Sequence, residues 1–364
     1  MTTPLLRQKA ASLRRSIQGE RAARLTTSDY KRHVIEVLRR AVPFDAYCFT
    51  SVDPLTLLST GAVTESGVEA IHSQLFENEY RGLDYNRYAQ LVAGGISAAS
   101  LRYATEGYPE LSERYRSILV SAGFTDELRG VCLSEGHCWG FLTLYRQKVL
   151  PPFGAEELAL LSEIMPAIAA ELRLRAITNL KSDEDSEVAS GLVIMNQSLV
   201  PVLTDSAADQ WMSRLRQAEG IDELTLPRPV RAVCTAALTR MAEISSGDEL
   251  ASVYVRMPSG EYVSLHASRL RDTSGNGHLS IRFSRGEMRD YVLFQSVAYG
   301  LSPREQELAA LVTRGRSTKQ IAEELHISVY TVQDHLKAIF AKTGYTSRRE
   351  LTTGLLTGNA NSPR

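Results

Sequence analysis

Four polar side chains near the end of the sequence, Tyr330, Gln333, Asp334 and Lys337, recur at i, i+3, i+4 and i+7, the spacing of one helix face. Their chemistry suits base edges in a DNA major groove. Glutamine pairs bidentately with adenine, a carboxylate accepts from the cytosine amino group, and lysine reaches guanine acceptors or a phosphate. Val329, Val332, Leu336, Ile339 and Phe340 fall on the other side of the same segment. A helix divided in this way has one stripe to seat it in its own domain and another to enter a groove. Lys319, Thr331 and Arg304 are the candidates for phosphate contacts, which set register rather than sequence preference. His335, about at right angles to the reading face, is expected to pack or to face a phosphate rather than to bind a metal.

Two other groups invite a chemical reading. Cys132, His137 and Cys138 bring metal-ligand or redox side chains together. Their spacing matches no standard zinc pattern, and both cysteines fall in apolar strand contexts, so buried thiols are the expectation. Tyr80, Asp84, Tyr85 and Tyr88 share one expected helical segment and are read as core rather than as a site. The sequence has no phosphate-binding loop, no His-Glu-x-x-His and no Gly-x-Ser-x-Gly elbow. No enzyme, cofactor or metal site is therefore expected.

The elements that must hold the C-terminal residues are marked by their caps. Ser302, Pro303, Arg304 and Glu305 form a capping box with proline at the first helical position, and Gly315 ends that helix. Ser317 and Gln320 form a second box, for a helix running to about Leu325. Ser328 opens a third helix, which Gly344 ends in the left-handed conformation. Ser347 and Glu350 form a third box for a last helix. Residues 301–358 are thus expected to be four short helices in one bundle. Such a bundle also suits a dimerisation or protein-docking module, and nine Lys/Arg against six Asp/Glu over residues 301–364 do not separate the two readings.

Residues 301–351 resemble the DNA-binding domain of LuxR-type (GerE-type) transcriptional regulators. The matching residues are the Arg304 and Glu305 pair, Gly315, then Lys319, Ile321 and Ala322. They continue with Ile327, Ser328, Thr331, Val332, His335 and Leu336, and end with Lys342, Gly344, Ser347 and Arg348. Where the family often has lysine after Thr-Val, this chain has Gln333 and then the acidic Asp334, which weakens nonspecific attraction to DNA. The resemblance implies double-stranded DNA as a partner and a homodimer joined through the fourth helix. Leu351, Leu355 and Leu356 are candidates for that contact, or else pack on the first helix of their own bundle. RNA polymerase is a further candidate partner.

Upstream, residues 44–52 and 57–63 are expected to form a strand hairpin, residues 68–92 and 109–122 helices, and residues 129–133 and 139–145 paired strands. Leu158, Leu161, Met165, Ile168 and Leu172 define a long helix with Pro166 inside it. Strands at 192–195, 200–203, 252–257, 262–269 and 279–283 surround helices at 206–217 and 230–244. Residues 136–146, the run 153–158 and the helix after it resemble the end of a GAF-type sensor. Residues 191–195 and the hairpin at 257–262 are similar to parts of a PAS domain. Asp183, Glu184 and Asp185 sit in a linker, so a phosphorylation receiver is not expected, and a quorum-sensing ligand domain would occur in a shorter chain.

The expected class is α+β: two small antiparallel-sheet sensor domains followed by an all-α, four-helix helix-turn-helix domain. The expected divisions are an N-terminal helix (1–27), a GAF-like domain (28–178), an acidic linker (179–190), a PAS-like domain (191–290), the LuxR-type domain (291–358) and a disordered tail (359–364). Lys plus Arg total 41 against 42 Asp plus Glu, and no apolar run is long enough to span a bilayer. A cytoplasmic, sequence-specific regulator follows as the expectation, with no membrane contact, gated by a small molecule or protein acting upstream.

Overall fold

The computed structural model describes residues 4–177, 189–239 and 251–357. The acidic run at 181–188, the expected tail at 359–364 and the expected helix end at 240–244 lie outside the described residues.

The chain opens with α1 (Pro4–Gln18), the single turn α2 (Glu20–Ala23) and α3 (Thr27–Arg39). Ala10 and Ile17 of α1 are buried, and Arg14 donates to the Glu163 carboxylate at 2.8 Å. Strands β1 (Ala46–Val52) and β2 (Ser59–Thr64) pair antiparallel, as their alternation predicts, with Phe49 opposite Val63.

The single helix expected over 68–92 is instead three pieces: α4 (Ser66–Glu69), α5 (His72–Arg81) and α6 (Tyr88–Ala93). The break has a local cause. Asp84 accepts the backbone N–H groups of Tyr85 at 2.8 Å and Arg114 at 2.7 Å, and Asn86 takes a positive φ of 55°. Glu79 then accepts the Tyr88 N–H at 2.6 Å. These side-chain bonds outcompete helix continuation. After β3 (Ala98–Ser100) and α7 (Leu101–Ala104), the helix expected at 109–122 is likewise reduced, to a 3-10 turn (Pro109–Leu111) and a π-helical turn (Tyr115–Leu119).

β4 (Phe124–Ser134) and β5 (His137–Gln147) are longer than expected, and Glu135 and Gly136 turn between them with φ of 51° and 74°. Two positive φ angles in a two-residue turn match the twist of a hairpin. The sheet order is β2-β1-β5-β4-β3, antiparallel throughout. α8 (Ala155–Ile177) runs through Pro166 and covers one face, burying Leu161, Met165, Ile168 and Leu172. It lies close on β4, where a Cβ at Gly130 would meet the Met165 sulfur at 2.7 Å.

The other side of this sheet holds a buried ionic network. Arg114 donates to Glu127 from Nε at 3.1 Å and from Nη2 at 2.9 Å, and lies 3.6 Å from Asp84. Arg129 donates to Glu127 at 2.8 Å and to Glu79 at 2.7 Å, with its guanidinium over the Tyr88 ring. Tyr88 stacks on Phe141. Tyr80, Asp84, Tyr85 and Tyr88 are thus spread across a helix break and do not form one face.

The second sheet repeats the first in its connectivity. β6 (Gly191–Asn196), β7 (Pro201–Thr204), α9 (Ser206–Glu219), α10 (Arg228–Thr239), β8 (Ala251–Arg256), β9 (Tyr262–Arg271) and β10 (Gly277–Arg285) give the order β7-β6-β10-β9-β8. Asp205 caps α9, Gly220 ends it at φ 66°, and Trp211 fills the core beneath.

The chain ends in α11 (Met288–Ala298), α12 (Pro303–Thr313), α13 (Thr318–Glu324), α14 (Val329–Thr343) and α15 (Arg348–Thr357). α11 precedes the four helices the sequence marked, and it touches both sheet regions and the bundle. Phe294 meets the Trp139 ring edge-on at 6.0 Å and Tyr262 at 5.1 Å. Arg173 of α8 donates to the Ala298 carbonyl at 2.7 Å, and α11 packs on α12 and α15. One apolar cluster consequently runs from α1 to α15. The architecture is mixed α+β, two five-stranded antiparallel sheets and a C-terminal helical bundle. Among the described residues, no helix is long and apolar enough to cross a membrane.

Candidate nucleic-acid interface

The bundle forms at the caps the sequence carries. Ser302 Oγ accepts the Glu305 N–H at 3.4 Å, and the Glu305 carboxylate accepts the Ser302 N–H at 2.6 Å. Ser317 and Gln320 repeat the arrangement at 3.3 and 2.8 Å. Ser328 Oγ accepts the Thr331 N–H at 3.0 Å, and Gly344 ends α14 at φ 74°. The third expected box is half made. Ser347 accepts the Glu350 N–H at 3.2 Å, but the Glu350 carboxylate reaches the Thr346 N–H at 2.8 Å instead.

Glu305 also ties the first helix of the bundle to the third, since Lys342 Nζ donates to it at 2.6 Å. Burial works against the Glu305 charge, but the Lys342 and Ser302 bonds outweigh it and hold the carboxyl below its usual 4.5. A lowered native value means that the stabilisation is complete above about pH 5.5 and lost as pH falls through the native pKa. Glu305→Gln is expected to cost about 1 kcal/mol at pH 7, with the two proteins converging in acid. Thermal melts across pH 3–7 check this, and a pH-independent gap would contradict it.

Arg304 was a phosphate candidate. The structure places its guanidinium on the Leu325 carbonyl at 2.6 Å and on Glu307 at 2.6 Å. The free carbonyls at the end of α13 need donors, and Arg304 supplies one. Its position therefore fixes the turn that leads through His326, at φ 53°, into α14.

On α14 the two faces separate. Val332, Leu336 and Ile339 are buried and Phe340 half-buried. Val329 is 41% exposed, because at the first helical position no preceding turn lies beneath it. The apolar stripe starts one turn later than the sequence pattern suggests, and Val329 is left exposed at the start of α14. Helix-start position was the available signal for it. Tyr330 is 79% exposed, and Gln333, Asp334 and Lys337 are exposed beside it. Lys337 pairs with Asp334 at 3.1 Å, a contact between two solvated groups that is worth little and is readily exchanged. Thr331 and Lys319 are exposed, with Thr331 Oγ1 2.9 Å from Ser328 Oγ, and His335 is half-buried.

On α15, Leu351 and Leu355 are fully buried and Leu356 is half-buried, all packed into the cluster with α11 and α12. Of the two roles open to these leucines, the structure gives Leu351 and Leu355 the internal one.

Cys132, His137 and Cys138 do not converge. Cys132 faces the core under α8, while Cys138 lies with Tyr88 and Phe141 on the opposite face of the sheet. His137 Nδ1 lies 2.9 Å from the Glu135 carbonyl. Burial pushes the Cys138 thiol up to about 12 and that of Cys132 well above the usual range. Thiols held protonated are poor nucleophiles and poor metal ligands. Among the described residues, no group of three or more His, Cys, Asp or Glu is placed to hold a metal ion.

Residues 300–354 match the family described as bacterial regulatory proteins, luxR family. Over 53 residues the chain is 45% identical to the monoamine regulon transcriptional regulator of Klebsiella aerogenes, covering 15% of this chain and 23% of that protein. It is 44% identical over 50 residues to response regulator Rre1 of Synechocystis sp., covering 14% of this chain and 22% of that protein. The chain thus spans less than a quarter of the length of these curated relatives. Among solved structures, Escherichia coli SdiA aligns over 96% of this chain and 98% of its own, at 13% identity and a TM-score of 0.30. At so low a score the likeness assigns nothing to the upstream half. The dense match, the two complete capping boxes and the divided faces of α14 all fall in one segment: residues 300–354 form a luxR-family helix-turn-helix domain.

Proposed function

We propose that this chain is a sequence-specific DNA-binding transcriptional regulator, gated by a small molecule or protein acting on the region upstream of α11. One observation carries the reading: α14 buries Val332, Leu336 and Ile339 while Tyr330, Gln333, Asp334 and Lys337 stay exposed on the other side. In this reading Tyr330, Gln333, Asp334 and Lys337 face the bases, and Lys319, Thr331 and Arg304 hold phosphates. Docking exchanges the Asp334–Lys337 pair for contacts with DNA. The two sheet regions act as GAF-like (28–178) and PAS-like (191–290) sensors, supported by their small antiparallel sheets flanked by helices. The regulator works in the cytoplasm as a homodimer on two half-sites about one helical turn apart, with RNA polymerase as a further partner. Since Leu351 and Leu355 are internal, the dimer contact uses other surfaces.

The test uses the full chain on labelled duplexes selected from a random pool. Affinity is expected to fall steeply as salt rises. Lys319→Ala should weaken every sequence alike and lower the salt slope by about 1. Gln333→Ala should relax the preference at one base pair by about 1–3 kcal/mol. An unchanged footprint and preference in both variants would sink the assignment of α14.

A further inference from the structure

Between the two sheet regions lies a cleft of about 380 Å³, walled by Glu69, His72 and Ser73 on one side and by Leu224, Arg228 and Arg231 on the other. Its two arginines are in different states. Arg228 is 3% exposed and fixed by carboxylates on both sides, Nη1 donating to Glu219 at 2.7 Å and Nη2 to Glu69. Its Nε is buried without an acceptor. Arg231, three residues along α10, makes no side-chain hydrogen bond or ion pair among the described residues. Burial and the neighbouring Arg228 work against its charge, and Glu69 and Glu219 offset part of that.

Arg228 takes up both nearby carboxylates, Glu69 and Glu219, and Arg231 on the same wall is left without a paired carboxylate among the described residues. His72 adds no charge, because burial, then Arg228 and Arg231, push it down to about 3. Its ring, packed near Phe76, is left as a neutral donor in the wall, with no hydrogen-bond partner among the described residues. Leu226 and the 97% exposed Leu224 give the mouth an apolar rim.

We propose that this cleft binds a small organic anion, a carboxylate or phosphate carried on an apolar body, with Arg231 as the pairing cation. The anion pairs with Arg231, accepts from His72, and lays its body against Leu224 and Leu226. A bound anion ties α5 to α10 and so bridges the two regions. The proposal rests on the reading of the upstream half as signal-receiving, and places the signal between the sheets rather than within either.

Isothermal titration of the full chain with hexanoate and with hexyl phosphate tests this, with hexanamide as the neutral control. Binding of at least one anion is expected, with the tighter of the two naming the head group and hexanamide about ten-fold weaker or more. Arg231→Gln should lose about ten-fold or more, and Arg231→Lys should recover part of that. Leu224→Asp, at a position the fold does not bury, should lose binding by repulsion. Each variant should keep wild-type affinity for DNA in the absence of the anion, which separates the site from the reading helix. No heat with either anion, or equal binding by wild type, Arg231→Gln and Leu224→Asp, would overturn the site while DNA binding persists.

Discussion

Glu127→Gln is expected to destabilise the first sheet region by about 3–5 kcal/mol, the cost of breaking a buried ion pair from one side. Glu127 and Arg114 are both fully buried, and Glu127 alone joins Arg114 to Arg129. Glutamine keeps the shape but not the charge. Arg114 is then left with Asp84 at 3.6 Å, and Arg129 with Glu79. Burial opposes the Glu127 charge, yet the two guanidiniums outweigh it and hold the carboxyl below its usual 4.5. The contribution is therefore present above that value and lost as pH falls through the native one, so wild type and variant converge in acid. The chain has two tryptophans, Trp139 in the first region and Trp211 in the second. In a Trp211→Phe background, emission during urea unfolding follows the first region alone. A loss below about 1 kcal/mol at pH 7 would show that the network contributes no net stability.

Phe294→Ala is the second large expectation, at about 3–5 kcal/mol. Its ring is the point where three units meet, against Trp139 of β5, Tyr262 of β9 and the helices that follow. Truncation leaves a cavity that neither sheet can close without moving α11. The C-terminal helices should then unfold in a separate, earlier transition and become protease-sensitive before the sheets do. DNA affinity at low temperature should be retained, since α14 is seated mainly on α12 and α13. A single unchanged cooperative transition would mean that α11 is not the coupling element.

The contrast between α11 and its neighbours shows what a sequence reveals. Ser302, Ser317, Ser328 and Gly344 act on backbone groups within four residues of themselves, so their roles are legible without any tertiary knowledge. Among the described residues every strand but the three-residue β3 was legible from local runs of β-branched and aromatic residues between turns. α11 was missed because its burial depends on tertiary partners, Trp139 and α8 more than a hundred residues before it and Tyr262, α12 and α15 nearer in sequence. The break at residues 82–87 was missed because Asp84 takes its second partner from Arg114. Within α14, the polar face was visible from spacing. The exposure of Val329, the capture of Arg304 by Leu325 and the burial of Leu351 and Leu355 depend on where the other helices lie.

The shared apolar cluster also has a consequence for biosynthesis. Trp139 is translated 155 residues before the Phe294 side chain that covers it. At about 5–20 residues per second, the flank of α8 and β5 stays uncovered on the ribosome for roughly 8–30 s. During that interval the nascent chain presents an aromatic, sticky surface that its own C-terminus has not yet arrived to shield, so yield in the cell should respond to chaperone supply more than the stability of the finished protein would suggest.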